Sequence, residues 1–144
     1  MMGLAATLSM GGSTMAQGGS PTVQVYKTPT CGCCGKWVTH LQEHGFATQV
    51  TEMDDLAELK AKHNIPGPAQ SCHTAVVDGY VLEGHVPAAD VRRLLKERPA
   101  VLGIAVPGMP IGSPGMEVPN MKPEPFRVMT FDKQGQLQLF SSHN

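Results

Sequence analysis

Thr22-Val-Gln-Val-Tyr-Lys27, then Thr28-Pro-Thr30, then Cys31-Gly-Cys-Cys34 is the stretch that decides how the chain is read. Residues 22–27 alternate apolar and polar side chains with the period of two that marks a strand, and Thr28-Pro-Thr30 interrupts it. Beyond the cysteines, Trp37, Val38 and Leu41 share one helical face, which predicts a helix from about Cys34 to His44 with Gly45 as its stop. The cysteines therefore sit where a strand gives way to a helix. There the first turn aims unpaired backbone N–H groups and the positive end of the helix dipole at the thiols. Such an environment favours the thiolate, the form that attacks disulfides and binds metals.

Further along, Phe46 to Glu52 reads as a second strand. Asp54 and Asp55 open a second helix, with Glu58 completing a capping-box-like pattern from Asp55 and Leu56 and Leu59 as its apolar stripe. Ile65-Pro-Gly-Pro68 ends it. Thr74–Val77 and Tyr80–Leu82 flank Asp78-Gly79, the favoured two-residue hairpin turn. Pro87 suits the first turn of a third helix that buries Val91, Leu94 and Leu95 and leaves Arg92, Arg93, Lys96 and Arg98 solvated. Phe126–Phe131 and Gln136–Phe140 predict a C-terminal hairpin. The order β-α-β-α-β-β-α implies an α/β sandwich, a central mixed sheet flanked by helices. Between Gly103 and Pro125 no regular element is expected, since ten of those 23 residues are Gly or Pro and three are Met. This long loop is either a surface linker or a flap folded over a site.

Composition narrows the class. With 144 residues the chain suits one domain, read as 21–144 after a leader at 1–20. Lys and Arg number 11 against 12 Asp and Glu, so no footprint for nucleic acid appears, and no apolar stretch approaches the ~20 residues of a membrane span. Residues 1–20 carry no charge, and Thr14-Met-Ala16 before Gln17 suits a small-residue cleavage rule. Lacking a positive n-region, the segment reads as an atypical or truncated export signal. Export then brings the thiols into an oxidising compartment.

Three of the four cysteines fall within four residues, and Cys72 lies 38 residues beyond Cys34. Bonds between such near neighbours close almost no loop, so structural stapling is a poor reading. Cys31 and Cys34 form a C-x-x-C pair after a strand, the redox-motif position of a thioredoxin-like domain. Their disulfide is sterically simple, whereas Cys33–Cys34 requires a strained vicinal ring. Cys72 just precedes the hairpin, a junction that faces the first helix start in thioredoxin-like folds. Four sulfurs then meet on one rim, with Cys72 as a resolving thiol or a fourth ligand.

Thiolates and thioethers select Cu(I), zinc or iron–sulfur clusters. A mononuclear zinc site prefers paired spacings that spread its ligands. Three crowded thiolates suit bridging between several low-coordinate ions, hence a compact copper–thiolate site. The thioethers of Met109, Met116 and Met121 on the long loop fit the same ion, while Met53 and Met129 read as core filler. His40 and His44 share a helical face without a third ligand and read as solvated; His63 and His143 read as surface residues. His73 adjoins Cys72 and is a candidate to touch the metal if the junction bends; otherwise strand alternation turns it to the other face. His85 either satisfies backbone groups or supports the site from behind. Trp37 reads as core on the helix face.

Tyr26-Lys-Thr-Pro-Thr-Cys-Gly-Cys-Cys34, Ser71-Cys-His-Thr74, Glu83-Gly-His-Val-Pro87, Val106-Pro-Gly-Met-Pro110 and Gly112-Ser-Pro-Gly-Met116 together resemble the CopG-type periplasmic copper-resistance family. The resemblance spans about residues 22 to 131. It implies a thioredoxin-like fold and a multinuclear Cu(I) cluster held, in this chain, by Cys31, Cys33, Cys34 and Cys72. It also implies interconversion of Cu(I) and Cu(II) in copper homeostasis. The expected partners are copper ions and other periplasmic copper-handling or redox proteins, with no nucleic acid and no membrane insertion; a copper-linked oxidoreductase activity stays open. Two rivals remain. One is a thiol–disulfide oxidoreductase using Cys31 and Cys34; the other is a structural zinc domain, disfavoured because a core of this size needs no metal to fold.

Overall fold

The computed structural model describes residues 21–144; the leader read at 1–20 lies outside them. Strand β1 (Val23–Lys27) leads into helix α1 (Gly32–Glu43), and strand β2 (Thr48–Glu52) returns parallel to β1. Helix α1 begins at Gly32, two residues earlier than the apolar spacing implies. Cys31 is still extended, and its carbonyl already accepts from the Gly35 N–H. Cys34, Trp37, Val38 and Leu41 form its buried side.

Helix α2 (Ala57–Lys62) is short and lacks the expected capping box. The Asp55 carboxylate instead accepts the Ala57 N–H at 2.8 Å, a local Asx turn that competes with helix. Strands β3 (Thr74–Val77) and β4 (Tyr80–Glu83) form the expected hairpin, with Asp78 and Gly79 at φ 47° and 86°. Helix α3 (Ala88–Glu97) follows Pro87 and buries Val91 and Leu94.

The expectation of no regular element after Gly103 is corrected by strand β5 (Gly103–Ala105). It lies inside the sheet, parallel to β4 and antiparallel to β6 (Phe126–Phe131). Three residues are too few to show a period, and all three are buried. Only glycine fits at 103, since a Cβ there would stand 2.0 Å from the Val81 carbonyl oxygen. Strand β7 (Leu137–His143) closes the sheet, giving the order β2-β1-β3-β4-β5-β6-β7.

Alternation along the inner strands sorts the core onto two faces. Leu82 and Ile104 point to the face covered by Trp37, Leu41, Val91 and Leu94; Val81 and Ala105 join Ile65, Ala69 and Phe131 on the other. Fully burying one such Leu or Ile contributes about 1.5–3 kcal/mol. The register aligns Tyr26 with Thr74, Thr74 with Glu83, and Glu83 with Ala105. The end of β1, the start of β3 and the ends of β4 and β5 thus share one rim. The residues beyond them, Cys31, Cys72, His85 and the 106–125 segment, leave the sheet side by side.

Candidate metal centre

The helix wall of this rim is α1's first turn. Cys31 and Cys34 are joined as a disulfide, and the Cys33 sulfur lies 3.5 Å from that of Cys31. With Cys72 their sulfurs form a group whose members all lie within 4.8 Å of one another. Cys34 is buried and the other three are half-buried. Among the described residues, nothing lies within 4 Å of where a Cβ would stand at Gly32 or Gly35, so none of them crowds the outer side of the rim.

The sheet wall is built from Cys72, His73 and His85. Cys72 and His73 precede β3 in a bend, and that bend keeps both on one side where strand alternation alone would separate them. The Cys72 sulfur lies 3.1 Å from His85 Nε2 and 3.3 Å from His73 Nδ1. His85 Nδ1 lies 2.5 Å from the Pro114 carbonyl oxygen. A carbonyl only accepts, so Nδ1 carries the proton and Nε2 turns its lone pair toward Cys72.

Burial pushes the Cys72 thiol up to about 11. Burial first, then neighbouring His85, drives His73 down to about 3. Burial also lowers His85, against its bond to Pro114. Both rings are accordingly neutral near pH 7. The His73 ring packs on Trp37 with centroids 4.4 Å apart, its Nε2 is buried without a hydrogen-bond partner among the described residues, and Trp37 Nε1 donates to the Val86 carbonyl at 2.9 Å.

Behind Cys72 lies a buried polar network that the sequence reading missed. The Glu83 carboxylate accepts from the Lys60 ammonium at 2.5 Å, the Thr74 hydroxyl at 2.6 Å and the Ser71 N–H at 2.9 Å. Burial raises the Glu83 carboxyl while the Lys60 charge opposes that rise. The network fixes the backbone next to Cys72 to α2 and β4. A lysine in a short helix reads as solvated, and nothing near Lys60 announces a partner 23 residues away.

The segment after β5 closes over the junction of the two walls. Ser113, Pro114 and Gly115 are buried, and a Cβ at 115 would stand 2.8 Å from the Cys33 carbonyl oxygen and 3.0 Å from His85 Nδ1. Of the two readings of this loop, the folded-over one describes residues 113–115. Met116 is half-buried beside them. Met109 and Met121 are about half exposed, and Met109 lines a cleft with Pro107, Pro110 and Phe126.

Two histidines depart from the sequence reading. His40 is not simply solvated: its Nε2 accepts the Ala88 N–H at 3.0 Å at the start of α3. Burial and neighbouring His44 lower its pKa. His143 pairs with Asp90 at 2.8 Å and stacks on Phe126, tying β7 to α3.

Fold and site define a mixed α/β protein that gathers four cysteine sulfurs and two buried imidazoles at one end of its sheet. Residues 69–116 match a family model described as a protein of unknown function, DUF411. A solved structure titled copper resistance protein CopG, form 2, is 38% identical; the match covers 87% of this chain and 99% of that one, with a TM-score of 0.81. Form 1 is also 38% identical, covering 86% and 98%, with a TM-score of 0.80. No curated protein matches. The chain belongs to the CopG family.

Proposed function

We propose that this protein binds copper for homeostasis and resistance, holding several Cu(I) ions on the thiolates of Cys31, Cys33, Cys34 and Cys72. The observation that carries the proposal is the gathering of four sulfurs within 4.8 Å at a helix start. Soft, crowded thiolates favour low-coordinate Cu(I). Closing Cys31 and Cys34 from two thiolates to a disulfide releases two electrons, enough to reduce two Cu(II) to Cu(I). Metal occupancy and thiol oxidation are then coupled, which gives copper interconversion a route. Residues 1–20 would serve as the export leader and 21–144 as the working domain, exchanging copper in the periplasm with other copper-handling or redox proteins.

Anaerobic Cu(I) loading of the fully reduced chain tests this. The expected result is more than one copper per chain, falling on Cys72→Ser. One copper or fewer, unchanged by Cys72→Ser, overturns it. The Cys31–Cys34 disulfide favours a second reading, a thiol–disulfide oxidoreductase. Insulin reduction that persists in Cys33→Ser without copper would support that reading.

A further inference from the structure

The four-thiolate reading uses Cys72 but leaves unexplained why two buried imidazoles face it. The donor atoms of Cys72, His73 and His85 lie within 4.8 Å of one another. The sulfur-to-nitrogen separations of 3.1 and 3.3 Å are close to what one ion imposes. Metal–sulfur and metal–nitrogen bonds of about 2.3 and 2.0 Å place their donors about 3.3–3.7 Å apart. Little movement is needed to admit a metal.

His85 also carries the mark of a ligand held ready. Metal-binding histidines usually donate their second ring N–H to a carboxylate or backbone carbonyl, which fixes the tautomer and the ring direction. His85 Nδ1 does so to Pro114, leaving Nε2 free to coordinate. The site has an opening as well, a cleft of about 280 Å³ lined by Thr28, Asp54, Asp55, Lys60, Gln70 and Cys72.

Two imidazoles and one thiolate are the donor set of trigonal copper sites that accommodate Cu(II). The Cys31–Cys34 disulfide removes two of the four thiolates and leaves the Cys72 thiol free. We propose that Cys72, His73 and His85 form a second, mononuclear copper site that holds Cu(II) while Cys31 and Cys34 are disulfide-bonded. The inference rests on the copper reading above, and Cys72 is common to both sites. On binding, the Cys72 thiol releases its proton to solvent and no electron moves. With the helix wall disulfide-bonded, a Cu(II) ion taken up from solvent thus finds a setting suited to the divalent ion, with no change in its oxidation state.

The oxidised chain, its Cys31–Cys34 bond verified by mass spectrometry, is titrated with Cu(II) alone. One equivalent should produce a thiolate-to-copper charge-transfer band, nitrogen hyperfine structure from two imidazoles, and quenching of Trp37, the single tryptophan, through the stacked His73 ring. His85→Gln should weaken binding at least tenfold, in line with changes around metal ligands, and Cys72→Ser should abolish the band. Cys33→Ser should leave it intact. A band that survives Cys72→Ser, or is lost in Cys33→Ser, overturns the proposal. Co(II), which does not oxidise thiols, is the second probe, and absence of a thiolate band with both ions also overturns it. Cu(I) loading of the reduced chain separates the two readings. Uptake of several Cu(I) alongside a failed Cu(II) titration refutes only the second site; uptake of one or fewer refutes the four-thiolate reading.

Discussion

The two walls of the rim are built on opposite principles. The helix wall holds three cysteines at the start of α1, two half-buried and one buried, and two of its sulfurs are bonded to each other. The sheet wall holds one cysteine between two buried histidines, braced from behind by Glu83 and Lys60 and from above by Pro114. One wall carries a bond between two of its own sulfurs; the other carries a geometry held by its neighbours. Preorganised sites are held this way, by neighbours that lock the ligand rather than by the ligand itself.

Glu83 is where the sheet wall is most exposed to loss. Glu83→Ala leaves the Lys60 ammonium, the Thr74 hydroxyl and the Ser71 N–H without their shared acceptor. Breaking a buried ion pair in this way costs about 3–5 kcal/mol, expected as a large drop in the denaturant midpoint of the metal-free chain. A wild-type midpoint would mean that the sheet wall is not braced as described.

Acid gives the next largest effect. His73 titrates near 6.5 when unfolded and at about 3 when folded, so below pH 6.5 the unfolded chain takes up a proton that the folded chain refuses. This group's contribution is complete above pH 6.5 and is lost as pH falls toward 3, at about 1.4 kcal/mol per pH unit. Chemical denaturation of the metal-free protein at pH 7 and pH 5 should differ by about 2 kcal/mol from this source, and His73→Gln should flatten the difference. The smallest effect belongs to the helix wall. Cys33→Ser in the metal-free chain should change stability by no more than about 0.5 kcal/mol, as for other surface positions without buried partners. A larger loss would mean that this wall too is structural.

The same contrast explains what the sequence made legible. The β1–α1 junction, the Asp78-Gly79 hairpin, α3 and the last hairpin all carry their signals within a few residues, and each lies where those signals place it. Strand β5 carries none, because Gly103-Ile-Ala105 is too short to alternate and is held by neighbours distant in sequence. The Cys31–Cys34 cluster announces a site by crowding alone. The approach of His73 and His85 to Cys72 depends on a bend before β3 and on a carbonyl 29 residues from His85. Asp90 with His143, 53 residues apart, escaped for the same reason.

The outer side at Gly32 and Gly35, uncrowded by the described residues, bears on kinetics. If copper rests on this rim, an incoming thiol can reach the ion before any cysteine lets go. Exchange would then be associative, with a three-partner intermediate and a rate set by encounter rather than by spontaneous dissociation. Very tight holding and rapid transfer are compatible under that regime. Replacing either glycine by a bulky residue would slow the transfer without weakening the hold.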